Sequence, residues 1–172
     1  MSDVRAHAVE LARGYNHPKN AELMGHLEPL SAKDVVLHYQ ALLDEGAQPF
    51  LLYLGRDLVG DADIRGVRDG AAEFAFMIAA PEQQGKGLGT KFALMVHAYA
   101  FATLGLTRVY ASIVAQNHAS RRVFEKLGYQ LDNAPEARSF ADDTEDVTLR
   151  LDRASFEQRN AAELAQLRFT PS

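Results

Sequence analysis

Apolar residues in the first part of the chain recur three and four positions apart, which is the spacing of one helix face. The pattern predicts a first helix over residues 4–11, a short second helix that Asn20 caps, and a third helix that follows Ser31. Ser31 and Asp34 have the spacing of a capping box, in which each side chain bonds the backbone N–H of the other residue. We therefore expect a helical N-terminal part over residues 1–46.

Short apolar runs rich in β-branched and aromatic residues replace this pattern after residue 48. They predict an antiparallel meander of three strands, joined by glycine-containing turns. A long helix is expected after residue 90, and strands and helices alternate beyond it. The predicted strands are 49–54, 58–65, 71–78, 108–114, 129–132 and 147–151, and the later helices are 118–127, preceded by Asn117, and about 153–168. This order predicts one mixed α/β domain over residues 1–172.

The charge balance and the residue types present narrow the classes of function. With 18 Lys and Arg against 23 Asp and Glu, the net charge is −5, which disfavours a nucleic acid partner. The absence of cysteine excludes disulfides, thiolate catalysis and Cys-ligated metals. The six histidines show no clustered ligand spacing, so we expect no metal. Without a long apolar run or a leader-like segment, a cytoplasmic protein with no membrane partner is expected.

A glycine-rich segment lies between a predicted strand and the long predicted helix. It consists of Gln84, Gly85, Lys86, Gly87, Leu88, Gly89 and Thr90. Glycines let successive backbone N–H groups face one concavity, and the N-terminus of the following helix adds partial positive charge. Such a segment can bind phosphate or pyrophosphate. A plain flexible turn is the alternative for a glycine cluster taken alone.

Two common phosphate-binding loops do not fit this segment. A P-loop needs glycine at position 80 and Ser or Thr directly after Lys86, but the chain has Ala80 and Gly87 there. A dinucleotide-binding fingerprint needs a third glycine where Thr90 stands, within a parallel βαβ unit, whereas the preceding strands are predicted to be antiparallel. The remaining interpretation is a pyrophosphate turn of the coenzyme A type.

Two segments resemble motifs of the GNAT N-acetyltransferase superfamily. The sequence Gln84-Gly85-Lys86-Gly87-Leu88-Gly89 resembles its acyl-CoA motif, Gln/Arg-x-x-Gly-x-Gly/Ala. Residues 117–129, Asn-His-Ala-Ser-Arg-Arg-Val-Phe-Glu-Lys-Leu-Gly-Tyr, resemble its second conserved block, in the form typical of the branch of the ribosomal-protein N-terminal alanine acetyltransferases. The resemblance covers about residues 31–151. It implies a GNAT acyl-CoA N-acyltransferase fold, with a mixed, mostly antiparallel sheet flanked by helices.

The resemblance also implies acetyl-CoA as the co-substrate and assigns residues to it. The strand end formed by Met77, Ile78 and Ala79 is expected to pair with the pantetheine arm. Residues 84–90 (Gln84 to Thr90) are expected to bind the pyrophosphate. Asn117 and Ser120 would lie near the thioester as catalytic groups. Phe124 stands in the cofactor site where many relatives carry a tyrosine that protonates the leaving thiolate. Ser120 or water would then supply that proton, or the thiolate would leave unassisted.

Three carboxylates on the predicted meander are candidates for the acceptor side. Glu73 lies eleven residues before Gln84, where several relatives carry a catalytic glutamate, and is the candidate general base. A solvent-facing strand residue is the alternative. A tight turn over residues 66–70 would place Asp63 directly opposite Glu73 on one face, and Asp61 shares that face by the two-residue period. We therefore expect Asp61, Asp63 and Glu73 to contact the acceptor.

These features together predict direct transfer of an acetyl group to a primary amine in a ternary complex, since no cysteine is available to form an acyl-enzyme. A backbone N–H near Met77 or Ile78 would stabilise the oxyanion. The carboxylates favour a small cationic amine, although the acidic run 142–146 is expected to be a solvated loop. A peptide N-terminus as acceptor and a non-catalytic acyl-CoA-binding regulator are the alternatives. The family often dimerises, so a homodimer is a further candidate assembly.

Overall fold

The computed structural model describes residues 2–23 and 28–168 of the chain. Its N-terminal part contains helices α1 (Ser2–Tyr15), α2 (Pro18–Leu23) and α3 (Ala32–Asp44). The capping box predicted at the start of α3 is confirmed: Ser31 accepts from the Asp34 N–H, and Asp34 accepts from the Ser31 N–H. The prediction that Asn20 caps α2 is wrong. The helix begins at Pro18, which lacks an N–H and suits a first helical position, so Asn20 lies inside it.

The described residues form one six-stranded mixed sheet in the order β1-β2-β3-β4-β6-β5. Only β3 and β4 are parallel neighbours, and the other four pairs are antiparallel, as the predicted fold class requires. The strands are β1 (Gln48–Leu54), β2 (Asp57–Arg68), β3 (Ala71–Ile78), β4 (Arg108–Ile113), β5 (Gln130–Leu131) and β6 (Val147–Asp152).

Helices cover both faces of this sheet. After a 3₁₀ turn at Pro81–Gln83, the later helices are α4 (Leu88–Ala102), α5 (His118–Leu127), α6 (Pro135–Arg138), α7 (Arg153–Arg159) and α8 (Ala161–Leu164). The main core, which includes Phe74, Phe92 and Phe124, joins α4 and α5 to one face. A second core, which includes Leu11 and Tyr39, joins α1 and α3 to the other face.

The C-terminal segment differs from the predicted continuous helix over residues 153–168. It forms the short helices α7 and α8, which meet at Asn160. The Asn160 side chain is buried and donates to the backbone oxygens of Leu127 and Phe156. These bonds tie the break between the helices to the end of α5.

The parallel pair β3–β4 separates along its length. Backbone pairing joins Ala71–Glu73 of β3 to Arg108–Tyr110 of β4. Both strands extend further, to Ile78 and Ile113, but they are not paired with each other there. A sheet that opens between two neighbours leaves a cleft with unpaired backbone groups along both edges. The cleft opens toward the end of β3, directly before the glycine-rich segment.

Candidate active site

The glycine-rich loop, residues 84–90, leads into α4, which begins at Leu88 and so earlier than the helix predicted after residue 90. Gly85 and Gly87 have φ of +76° and +82°, a left-handed conformation that glycine adopts without strain. The first N–H groups of α4 have no carbonyl partners within the helix, so they can bind an anion. At Gly89 a Cβ atom would lie 3.1 Å from the Phe76 ring. Backbone conformation therefore favours glycine at positions 85 and 87, and close packing favours it at position 89.

The Gln84 side chain fixes the start of this loop. Its Nε2 donates to the backbone oxygen of Ile78 at 2.9 Å and to Asn20 Oδ1 at 2.7 Å. Asn20 in turn donates to the backbone oxygens of Gly14 and Ala79. The amide of Asn20 thus joins α1, the end of β3 and the loop in one buried network.

A cavity of about 430 Å³ lies between this loop and the first turns of α5. Three cations line it, Lys19, Arg122 and Lys126, and no carboxylate from the described part of the chain does. None of the three cations forms an ion pair within the described residues. We call this space the cationic cavity. Its charge and the loop N–H groups suit a polyanionic ligand.

A second cavity, of about 330 Å³, lies on the other side of the cleft. Five carboxylates from α3, β2 and the loop before β6 line it: Asp34, Asp61, Asp63, Asp142 and Asp146. Arg65 and His38 are its basic side chains. We call this space the acidic cavity. Its charge is opposite to that of its neighbour and suits a cationic ligand.

The acidic run 142–146 is thus more than a solvated loop, because two of its carboxylates reach the cavity wall. Ser112 anchors it: its Oγ donates to Asp146 Oδ2 at 2.7 Å and accepts from the Asp142 N–H at 3.1 Å. Arg138 donates to the backbone oxygens of Asp143, Thr144 and Asp146. The loop is therefore held in a defined conformation from both sides.

The two cavities share five lining residues, which mark the point where they meet: Leu23, Phe76, Met77, Asn117 and Ser120. Asn117 caps α5, and its Oδ1 accepts from the Ser120 N–H at 3.0 Å. Its Nδ2 lies 3.5 Å from the Leu23 backbone oxygen. This junction brings the predicted catalytic residues Asn117 and Ser120 beside the predicted pantetheine strand.

The other predicted cofactor residues divide into two groups. Those in the cationic cavity wall are Met77, Ile78, Gln84, Gly85, Gly87, Gly89, Thr90 and Asn117. Ala79, Lys86, Leu88 and Phe124 are outside that wall. Phe124 instead lines the acidic cavity, 2% exposed, with its ring against Phe74, Phe76 and Tyr129. The Nζ atom of Lys86 lies 3.4 Å from Gln83 Oε1.

The predicted direct pairing of Asp63 with Glu73 is wrong. Asp69 and Gly70, both at positive φ, form the two-residue turn between β2 and β3, and a bulge between Arg65 and Arg68 precedes this turn in β2. The turn therefore lies closer to β3 than expected, and Glu73 pairs with Arg65 while Asp63 pairs with Ala75. The shift is two residues, so all three side chains still share one face.

Glu73 is a buried carboxylate in an acidic surrounding. Burial raises its pKa to about 8; Arg65 lowers it, while Asp142, Asp63 and Asp146 raise it further. Arg65 donates to Asp63 through Nε at 2.6 Å and through Nη2 at 3.1 Å. Its positive charge is therefore shared between Asp63 and Glu73. Glu73 does not itself line either cavity.

Sequence patterns missed several residues of this site. Arg65, Ser112 and the cations Arg122 and Lys126 on α5 were not singled out, and Asn20 was predicted only as a helix cap. Ser112 is a polar residue between the buried Ala111 and Ile113 on β4, and such a position could have indicated a functional side chain. Among the described residues, no cluster of three His, Asp or Glu side chains has metal-binding geometry, and no helix is long and apolar enough to cross a membrane.

Solved structures with the same fold include aminoglycoside acetyltransferase AAC(6')-Ib in complex with coenzyme A. It has a TM-score of 0.75 and 21% identity, over 90% of this chain and 94% of that chain. Mycobacterium smegmatis RimJ in complex with CoA-disulfide has a TM-score of 0.72 and 19% identity, over 92% of this chain and 85% of that chain. At these identities the likeness establishes the fold.

Sequence relatives match a shorter part of the chain. Alpha/beta-tubulin-N-acetyltransferase 9 of Homo sapiens is 45% identical over 58 residues, 34% of this chain and 28% of that protein. Spermidine N(1)-acetyltransferase of Escherichia coli K12 is 36% identical over 61 residues, 36% of this chain and 32% of that protein. The matches thus span about a third of these relatives or less. Residues 4–130, however, match the profile of the acetyltransferase (GNAT) domain, so the chain belongs to the GNAT acetyltransferase family.

Proposed function

We propose that the protein transfers an acetyl group from acetyl-CoA to a primary amine by direct attack in a ternary complex. The observation that carries this proposal is the junction of the two cavities. A cation-lined cavity beside an anion-binding loop meets an acid-lined cavity at Met77, Asn117 and Ser120. An anionic acyl donor and a cationic acceptor would therefore approach each other at one point.

Acetyl-CoA fits the cationic cavity in our proposal. Its pyrophosphate would bind the N–H groups of the loop 84–90, with Lys19, Arg122 and Lys126 as counter-charges. Its pantetheine arm would follow the free edge of β3 past Ile78 toward the junction. The solved neighbours that contain coenzyme A support this donor.

The acceptor in our proposal is a small cationic amine. Five carboxylates in the acidic cavity wall support this class. The spermidine acetyltransferase relative supports it too, and so does another solved structure of AAC(6')-Ib, in complex with ribostamycin and coenzyme A. A protein or peptide N-terminus is the second candidate, which the tubulin N-acetyltransferase relative favours because its acceptor is a protein. An N-terminal acceptor also fits the branch that the motif in residues 117–129 resembles.

The chemistry requires an unprotonated amine, because an ammonium nitrogen has no lone pair with which to attack. Glu73 is our proposed general base, acting through water since it lies outside both cavity walls. A backbone N–H near Met77 or Ile78 would stabilise the tetrahedral oxyanion. Ser120, which lines the junction, or a water would relay a proton to the leaving thiolate in place of the tyrosine that Phe124 replaces. The source of that proton is the amine nitrogen, which loses its second proton as the C–S bond breaks and the amide forms.

Thiol release from acetyl-CoA tests this function against a panel of polyamines, aminoglycosides, amino acids and short peptides. We expect release with one cationic class. Release only with peptides would instead favour the N-terminal acceptor. Tight acetyl-CoA binding by calorimetry without release from any acceptor would favour a regulator, and no binding would overturn the assignment of the glycine loop.

A further inference from the structure

Asp61 forms a cluster with two tyrosines that the mechanism above does not use. Asp61 lies on β2 directly opposite Met77, a junction residue, and is 5% exposed. The hydroxyl of Tyr15 on α1 donates to Asp61 Oδ2 at 2.5 Å. The hydroxyl of Tyr39 on α3 donates to the same oxygen. Two donors from two helices thus fix one oxygen of a buried carboxylate.

The other oxygen, Asp61 Oδ1, is buried and has no hydrogen-bond partner within residues 2–23 and 28–168. Buried acceptors without partners are rare, because they have lost water and gained nothing in exchange. Asp61 also lines the acidic cavity. The free oxygen therefore belongs to a side chain at the wall of a ligand-sized space.

The surrounding charges leave this oxygen available to an incoming donor. Arg65, the nearest basic side chain on β2, is engaged by both oxygens of Asp63. Burial raises the pKa of Asp61 to about 6, and the hydroxyls of Tyr15 and Tyr39 oppose that rise. Of the remaining charged groups, Asp63 raises this pKa and Arg65 lowers it. The two hydroxyls thus favour the ionised carboxylate, and its second oxygen has no hydrogen-bond partner within the described residues.

We propose that Asp61 Oδ1 accepts an N–H from the ammonium group of the acceptor, and that Tyr15 and Tyr39 are positioning residues that hold the carboxylate for it. The inference rests on the proposed function and narrows its substrate class. The ligand must be an ammonium with at least one N–H, because the site offers an acceptor and not only a negative field. A quaternary ammonium of the same length would therefore bind poorly.

The apolar surroundings strengthen this selectivity. Tyr15, Tyr39, Val35 and Met77 belong to one buried apolar cluster, and all but Tyr39 also line the acidic cavity. A charge-assisted hydrogen bond gains strength where water is excluded. An ammonium without an N–H would lose its hydration there and receive no bond in return.

Calorimetric titration of the protein with n-butylammonium and with N,N,N-trimethylbutylammonium, with and without coenzyme A, tests the proposal. We expect n-butylammonium to bind at least about tenfold more tightly than the quaternary ion. Asp61→Asn should remove this ratio, whereas Asp143→Asn, on the exposed part of the acidic loop, should retain it. Equal binding of the two amines, no amine binding, or an unchanged ratio in Asp61→Asn would overturn the proposal.

The tyrosine variants keep the test decisive if Asp61→Asn does not fold. Tyr15→Phe and Tyr39→Phe should each weaken n-butylammonium binding about three- to tenfold. They should also move the midpoint of its pH dependence upward from about 6, because each hydroxyl lowers the Asp61 pKa. An unchanged midpoint in both variants would overturn the positioning role. Failure of the wild-type protein to bind coenzyme A would count against the proposed function and leave the amine titrations to be judged separately.

Discussion

Gln84 Nε2 lies 2.7 Å from Asn20 Oδ1, and this bond joins the glycine-rich loop to the N-terminal helices. Asn20 is 3% exposed and also donates to the Gly14 and Ala79 backbone oxygens. The loop that we assign to pyrophosphate is therefore positioned by a residue more than sixty positions earlier in the chain.

Replacement of Asn20 should disturb the cofactor loop and the fold together. We expect Asn20→Ala to lower the free energy of unfolding by about 1–3 kcal/mol, because buried partners lose their hydrogen bonds. It should also raise the KM for acetyl-CoA several-fold, with the KM for the amine unchanged. The exposed Asn133→Ala is the control. An unchanged acetyl-CoA affinity in a destabilised Asn20→Ala would show that the bond supports only the fold.

The left-handed glycine before α4 gives a second test. Gly87→Ala would place a Cβ residue at φ of +82°, at a cost of roughly 1–2 kcal/mol unless the loop rearranges. We expect coenzyme A affinity by calorimetry to fall about tenfold. Gly105→Ala carries similar strain at φ of +68°, after α4 and outside the cationic cavity wall. It should cost similar stability and leave affinity unchanged, and an equal affinity loss in both would contradict the loop assignment.

Glu73 should control the pH dependence of transfer. A base must be ionised to accept a proton, so wild-type kcat/KM should rise about tenfold per pH unit up to about 8 and then level. We expect Glu73→Gln to lower the rate about 100-fold and to remove this inflection. The exposed Glu45→Gln is the control. A profile of unchanged shape in Glu73→Gln would remove Glu73 from the mechanism.

The same substitution should stabilise the fold in a pH-dependent way. Well below pH 4 the carboxyl group is protonated in both the folded and unfolded chain. Between pH 4 and 8 the unfolded chain releases the proton while folded Glu73 retains it, so wild-type stability falls as pH rises. The Glu73→Gln variant does not lose this stability, because glutamine has no proton to release. Thermal unfolding should show a gain of about 1–2 kcal/mol at pH 8 and a smaller one at pH 5; a gain independent of pH would contradict the raised pKa.

The acidic loop should act on the acceptor alone. Asp142 is exposed, so its effect on a cationic amine should be modest, about 0.2–1 kcal/mol. Asp142→Asn should raise the KM for a cationic amine about two- to fivefold, and this effect should shrink at high salt. Asp143→Asn, outside the cavity wall, should not change it. A change in the KM for acetyl-CoA would contradict the division between the two cavities.

The sequence by itself determined the local features of this protein. Helix and strand periods, the capping box of Ser31 and Asp34, and the loop before α4 follow from residues close together in the chain. The order of elements and the two motifs were enough to predict a mixed sheet with a phosphate-binding turn. Local signals also placed Asp61 and Asp63 on one strand face, because side chains alternate along any strand.

Tertiary structure decided which of these residues meet. The Asp69–Gly70 turn and the adjacent bulge moved Glu73 from Asp63 to Arg65, a choice between registers that the apolar pattern fits equally well. Asn20 reaches Gln84, and Tyr15 and Tyr39 reach Asp61, only after α1, α2 and α3 pack on the sheet. These contacts join residues 22 to 64 positions apart, and no periodicity along the chain records them. Side-chain packing between distant elements selects such partners, which is why the acidic cavity and its buried carboxylate emerged only in three dimensions.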